Sequence, residues 1–283
     1  MKLAFPVATP ETADETMLAL RGDLAEHFRL LSKLDYAGAE LMVRDPAQLD
    51  ADKIRTLATE AGLSIPAVST GQLRKEDGLQ LCHLDLAERR RAVARTKAVI
   101  DFAAALGAPQ VNIGTLRGQL PGGAQREAAI RAAVESLSEL LSYAEGRGVG
   151  LAIEPQNRFV INWLNTVGEA LGWLDSFAPH RCSLLYDAYH ALFEERSLYA
   201  SLIRAFPRVS HVQVADTNRL APGGGQFNFA EFVRVLAALG YEGYISVEAL
   251  PRPTAAEAAR RAARCLLPLL VEEEEFTEYR GEG

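Results

Sequence analysis

Short apolar runs alternate along the chain with longer stretches whose apolar residues recur at helical spacing. The β-like runs fall at Leu3 to Phe5, Ala39 to Val43, Ile65 to Ser69, Gln110 to Ile113, Gly150 to Glu154, Ser183 to Asp187, His211 to Ala215 and Tyr244 to Glu248. Between them, sets such as Leu24, Phe28, Leu31 and Leu34, or Ile130, Ala133, Leu137, Leu140 and Leu141, repeat every three to four residues and predict helices with one buried face. Strands alternating with helices imply parallel pairing through right-handed crossovers, and eight such units predict a single-domain (β/α)8 TIM barrel over residues 1–270. A doubly wound open sheet is the alternative. Helix-stop signals at Leu106-Gly107-Ala108-Pro109, Gly146-Arg147-Gly148 and Leu239-Gly240-Tyr241-Glu242-Gly243 precede strands and mark the bottom of the barrel. No linker divides the chain, and residues 271–283 read as a solvated or frayed acidic tail.

Composition narrows the function classes. The chain has 283 residues, 48% hydrophobic and 24% charged, as expected of one large globular domain. A formal charge of -7 supplies no basic field for a phosphate backbone, so no nucleic-acid partner is expected and small molecules move up the list. Cys82, Cys182 and Cys265 are far apart and form no C-x-x-C pair, which suits reduced thiols. With no signal-peptide pattern at Met1 to Pro6 and no apolar stretch long enough to span a bilayer, a cytoplasmic protein without a membrane partner is expected.

Strand parity carries the chemistry. Side chains two apart share a face, so an inward Glu154 places Ala152 and Gly150 inward while Leu151 and Ile153 pack on helices. The same parity sets Asp187 above Leu185, Gln213 above His211, and Glu248 above Ser246. Four successive strands thus end in polar side chains at the carboxyl face, where barrels of this kind place their active sites. Capping of loops or helices is the structural alternative for each residue singly. Together, three carboxylates would repel one another and lose hydration, a conflict that a divalent cation removes. An all-oxygen set of Glu154, Asp187, Gln213 and Glu248 suits Mn2+ first, with Mg2+, Co2+ or Zn2+ as alternatives.

Other residues near the strand ends have two readings each. Arg117 in Thr115-Leu116-Arg117-Gly118 offers a planar fork for a substrate carboxylate or phosphate, and Glu40 lines the pocket or serves as a salt-bridge partner. Asn157 and Arg158 are placed to brace Glu154. Phe159 and Trp163 close part of the mouth or simply pack there. Pro222-Gly223-Gly224-Gly225 lacks the Lys-Ser/Thr of a phosphate loop and reads as a lid edge.

The segments Leu151 to Arg158, Tyr186-Asp187-Ala188-Tyr189-His190, His211 to Arg219 followed by Ala221-Pro222-Gly223, and Ile245-Ser246-Val247-Glu248 resemble sugar isomerases and epimerases with the xylose isomerase-like barrel, especially ketose 3-epimerases. The resemblance implies metal ligands at Glu154, Asp187 and Glu248, with Gln213 where most of that family has histidine, as in a branch resembling 5-keto-L-gluconate epimerases. It also implies substrate contacts from His190 and Arg219, and it sets Val160 where ketose 3-epimerases carry a substrate-binding glutamate. Glu154 and Glu248 are then the acid and base that exchange a proton through an enediolate, on a sugar or sugar-acid substrate. Two arginines near the mouth and the loss of a glutamate at Val160 favour an acidic keto-sugar such as a keto-aldonate. Alternatives are a ketose 3-epimerase, an aldose-ketose isomerase, an inosose dehydratase or a non-catalytic sugar binder. The endonuclease IV branch, with three zinc ions, is disfavoured because His27, His83 and His180 fall on helices or bottom loops. A homodimer or homotetramer is what the resemblance implies for assembly.

Overall fold

A computed structural model of the chain describes residues 1–178 and 180–278, with side chains through residue 271. Eight parallel strands close into a barrel in sequence order: β1 Lys2–Ala8, β2 Gly38–Met42, β3 Val68–Ser69, β4 Gln110–Ile113, β5 Gly150–Ile153, β6 Ser183–Asp187, β7 Val209–Val214 and β8 Tyr244–Val247. Each lies within the run that the apolar pattern predicts, or extends it by a few residues. The third is the shortest, because Pro66 has no N–H to give the ladder, and only Val68 and Ser69 pair on both sides.

Helices return the chain between strands: α1 Leu24–Lys33, α2 Ala51–Glu60, α3 Gly71–Lys75, α4 Leu86–Leu106, α5 Arg126–Glu145, α6 Val167–Asp175, α7 Ala188–Glu194, α8 Leu198–Ala205, α9 Phe229–Ala238 and α10 Ala255–Glu278. Leu24, Phe28 and Leu31 of α1 and Leu137, Leu140 and Leu141 of α5 are buried, as their spacing requires. The stop signals operate at the base: Gly107 takes φ 73°, a conformation that costs glycine little, and turns the chain from α4 into β4. Helix α10 continues past residue 271 to Glu278, and the remainder of the expected acidic tail lies outside the described residues. No helix among the described residues is long and apolar enough to cross a membrane.

Outside the strands, helices and strands share one apolar layer. Inside the barrel the composition is different: Glu40, Gln110, Asn112, His211, Gln213 and Ser246 are all buried. Burying so much polarity is tolerable only if its hydrogen bonds are made internally. Where they are made, and where they are not, defines the site.

Candidate active site and metal centre

A cavity of about 470 Å³ opens at the carboxyl ends of the strands, and Glu154, His190, Gln213, Arg219 and Glu248 line one side of it. Glu154 follows β5 and has its two oxygens in different circumstances. Oε2 accepts from Gln156 Nε2 at 2.9 Å, while Oε1 is buried without a hydrogen-bond partner. Gly114 is pressed against this carboxylate, since a Cβ there would lie 2.3 Å from Oε2. Burial, followed by the neighbouring charges of Glu248 and Asp187, drives the Glu154 carboxyl well above the usual carboxylate range against the pull of Arg117.

Asp187 ends β6, and its two oxygens face different ways. Its Oδ1 caps α7 by accepting the Tyr189 N–H at 2.8 Å, and its Oδ2 faces the cluster, 3.5 Å from His190 Nε2. Burial and Glu248 push its carboxyl up to about 7, with Arg219 and the α7 backbone N–H groups pulling the other way.

The chemistry of His190 is decided by its neighbour. Asn157 Oδ1 accepts the Phe159 N–H at 3.1 Å, so Asn157 Nδ2 is the atom that faces His190 Nδ1 at 2.8 Å. Nδ1 therefore accepts, and the ring proton of the neutral imidazole sits on Nε2. Burial, then the charges of Arg219 and Arg117, hold His190 well below its usual range and keep it neutral. Nε2 stands 3.4 Å from Glu154 Oε1 and has no hydrogen-bond partner. In this tautomer His190 is a donor to an oxygen in the cavity rather than a metal ligand.

Gln213 is oriented in the same way by Glu40. Both Glu40 oxygens accept from Gln213 Nε2, at 3.0 and 3.1 Å, which turns Gln213 Oε1 away, where it is buried with no partner. Glu40 also accepts from Ser69 Oγ at 2.5 Å and Asn112 Nδ2 at 3.1 Å, and it meets His211 Nε2 at 3.1 Å. Burial alone would raise its carboxyl; the charge and hydrogen bond of His211, with the hydrogen bond of Ser69, bring it instead to about 2. Glu40 does not line the cavity: it sits beneath the site and fixes the glutamine amide. His211, one layer below Gln213, is its partner.

Glu248 follows β8 and is held by Arg219, whose Nη2 donates to Glu248 Oε2 at 2.7 Å while the guanidinium lies 4.6 Å from the Tyr189 ring centroid. Burial raises the Glu248 carboxyl and Arg219 opposes that rise.

Arg117 is a departure from expectation. Its guanidinium is fully buried, and it donates to the carbonyls of Gly114 (2.8 Å), Glu154 (2.7 Å), Trp163 (3.2 Å) and Leu164 (3.3 Å). Its terminal nitrogens are thus spent on backbone, and it braces the loops after β4 and β5 from outside the cavity wall. Trp163 joins the same brace through Nε1 to the Gly118 carbonyl, whereas Phe159 is 78% exposed. Arg158 turns outward to Glu194 at 2.8 Å. The glycine loop after β7 is filled by an internal anion: Asp216 Oδ2 accepts the N–H groups of Gly223, Gly224 and Gly225. Gln156, Gly114, Ser69 and Asn112 serve the site without having been singled out in the sequence. The inward parity of Ser69 and Asn112 was the one signal that pointed to them.

The residues fit a divalent cation. Glu154, Asp187 and His190 each bring a polar atom within 4.8 Å of the others, two of them carboxylate oxygens, and the unpartnered Gln213 Oε1 adds a third acceptor oxygen. Buried carboxyls that raise one another, beside a glutamine oxygen with no partner, are the pattern a hard cation resolves, and the His190 tautomer leaves that role to the oxygens.

Comparison with known proteins agrees with this architecture. The family model for the xylose isomerase-like TIM barrel matches residues 28–269. An L-ribulose 3-epimerase of Methylomonas sp. (strain DH-1) is 28% identical over 219 residues, covering 77% of this chain and 75% of that protein. A D-psicose 3-epimerase of Enterocloster bolteae is 32% identical over 116 residues, which cover 41% of this chain and only 38% of the relative. A hydroxypyruvate isomerase of Escherichia coli (strain K12) is 29% identical over 160 residues, 56% of this chain and 61% of that one. A solved L-ribulose 3-epimerase superposes with a TM-score of 0.82 at 19% identity, covering 98% of this chain and 97% of that one, a likeness that establishes the fold. The chain therefore belongs to the xylose isomerase-like TIM barrel family.

Proposed function

We propose that this chain, a sugar epimerase like its named relatives, inverts a carbon next to the carbonyl of a keto-sugar or keto-aldonate, with a divalent metal, Mn2+ by preference, held by Glu154, Asp187, Gln213 and Glu248. The observation that carries the proposal is the set of unspent polar atoms on one cavity wall: Glu154 Oε1, Gln213 Oε1 and His190 Nε2. When bound, the metal polarises the substrate carbonyl and supports the negative charge of an enediolate.

The protein residues divide the remaining work. Glu154 follows β5 and Glu248 follows β8, three strands apart around the ring of eight, so they approach a bound sugar from different sides. One carboxylate removes the proton from the carbon beside the carbonyl and the other, protonated, returns one to the opposite face, with roles exchanged in the reverse direction. Arg219 holds Glu248 Oε2, and Gln156 with Gly114 holds Glu154 Oε2, which leaves one oxygen of each glutamate for the reaction. His190 donates from Nε2 to a substrate oxygen.

Val160 lines the cavity where the epimerase resemblance carries a glutamate, which removes an acceptor for sugar hydroxyls and favours a substrate other than a free ketohexose. The relative named a hydroxypyruvate isomerase supports a second reading, aldose-ketose isomerisation, in which the proton returns to the neighbouring carbon. Incubation of keto-aldonates and ketoses with the Mn2+-loaded enzyme in deuterated water, followed by NMR, tests both. Deuterium entering at one carbon with inversion supports the epimerase; a shifted carbonyl supports the isomerase. No exchange into any keto-sugar of the panel contradicts both.

A further inference from the structure

The cavity wall opposite the metal side is formed by α3 and by the segment after β1, and its charges are balanced in pairs. Lys75 Nζ meets Asp14 Oδ2 at 2.7 Å. Glu76 takes Arg44 at 3.3 Å and the Ala13 N–H, while Asp77 takes Arg44 at 2.8 Å and Arg95 at 3.3 Å. Gln72 donates to Asp14 and Glu76. Arg74 is the exception. It lines the cavity, half-buried, and its guanidinium makes no hydrogen bond or ion pair with any described residue.

The other cations near the cavity are spent, Arg219 on Glu248 and Arg117 on carbonyls, and His190 is neutral. A guanidinium with no ion-pair partner gains more from a planar anion entering the cavity than from a neutral molecule. Helix α3 follows β3, and β3 stands four strands from β7 in the ring of eight, so Arg74 lines the cavity across from Gln213.

We propose that Arg74 receives the carboxylate at the far end of an acidic sugar and sets the preference of the site for sugar acids over neutral sugars. The inference deepens the proposed function and rests on it. A carboxylate is favoured over a phosphate because barrels that bind phosphate do so with backbone N–H groups after strands seven and eight, and here the Gly223, Gly224 and Gly225 N–H groups are occupied by Asp216.

The test compares binding of gluconate, glucitol and glucitol 6-phosphate to the metal-loaded enzyme by calorimetry, in wild type and in Arg74→Gln and Arg74→Lys. Charge-assisted pairing predicts gluconate about 10- to 100-fold tighter than glucitol in wild type, a ratio near one in Arg74→Gln and an intermediate ratio in Arg74→Lys. The melting temperature and Mn2+ affinity should stay at wild-type values, since Arg74 has no hydrogen-bond or ion-pair partner among the described residues to lose. An unchanged ratio in Arg74→Gln, or no wild-type preference for gluconate, overturns the inference. Glucitol 6-phosphate bound more tightly than gluconate, with the gain lost in Arg74→Gln, overturns the carboxylate assignment. Failure of deuterium exchange alongside an Arg74-dependent gluconate preference would sink the proposed reaction alone, whereas intact exchange without that preference would sink only the role of Arg74.

Discussion

Two groups of buried carboxylates stand within one barrel and have opposite electrostatics. Glu40 is fully buried yet held at about 2, because donors surround it: Ser69, Asn112, Gln213 and His211. Glu154 and Asp187 are nearly as buried, but the charges that act on them most strongly are those of other carboxylates, and both carboxyls are driven upward. Burial sets the cost in each case, and the donor inventory decides the outcome. The first group is a completed network. The second is left open, and an open set of acceptors facing a cavity is where a cation and a substrate belong.

The comparison breaks first at the glutamates. Glu248→Gln should lower kcat by about 10²- to 10⁴-fold, the usual worth of a positioned acid or base, measured as deuterium exchange at saturating substrate. Wild-type turnover in that variant would remove Glu248 from the proton relay.

Next in size is the completed network. Glu40→Gln leaves Gln213 without the acceptor that orients it, so Mn2+ affinity should fall about 10- to 100-fold although Glu40 never touches the metal. A titration of the metal-free variant checks this, and unchanged affinity would mean that Gln213 is oriented by something else.

Arg117→Lys sharpens the contrast between the two kinds of arginine. A lysine ammonium cannot reproduce the fork on four carbonyls, and the variant should lose about 1–3 kcal/mol of stability while the gluconate to glucitol binding ratio stays unchanged. Denaturant unfolding and calorimetry report the two quantities separately.

The smallest effect is a pH dependence of the metal-free protein. Asp187 moves from its ordinary 3.8 up to about 7 in the folded chain, so its contribution to stability is complete below 3.8 and is lost as pH rises through about 7. Without metal, the melting temperature should decline by several degrees between pH 4.5 and 8. With Mn2+, which binds the ionised carboxylates, the gain over the metal-free protein should grow with pH. Glu40 acts in a separate window: its contribution is present above 4.5 and lost as pH falls through about 2.

Much of this was legible in the sequence. Short apolar runs located all eight strands, and parity set Glu154, Asp187, Gln213 and Glu248 at the carboxyl ends of four of them, because a strand fixes where every side chain points. Parity also set His211 below Gln213. The reach of long side chains was not legible: Arg117 and Arg219 look alike as post-strand arginines, yet one turns into the backbone of two loops and the other into the cavity. Glu40 carries two readings in the sequence, pocket lining and salt-bridge partner, because the sequence gives its strand and face but not the layer of glutamine above it; the structure shows the second. The His190 tautomer depends on a single N–H from Phe159 to Asn157, a contact between loop residues that no periodicity encodes. Arg74 drew no attention because its meaning lies in the pairing of all its neighbours.

The central claim, that four strand ends hold one metal, is tested most directly by titrating the metal-free chain with Mn2+ while free Mn2+ is followed by electron paramagnetic resonance. Wild type should bind one Mn2+ per chain, and Glu154→Gln, Asp187→Asn and Gln213→Leu should each weaken that site at least about tenfold, with Asp187→Asn retaining the helix cap and so the fold. A chain with no saturable Mn2+ site, or one whose affinity is indifferent to Glu154→Gln and Asp187→Asn, would contradict the account.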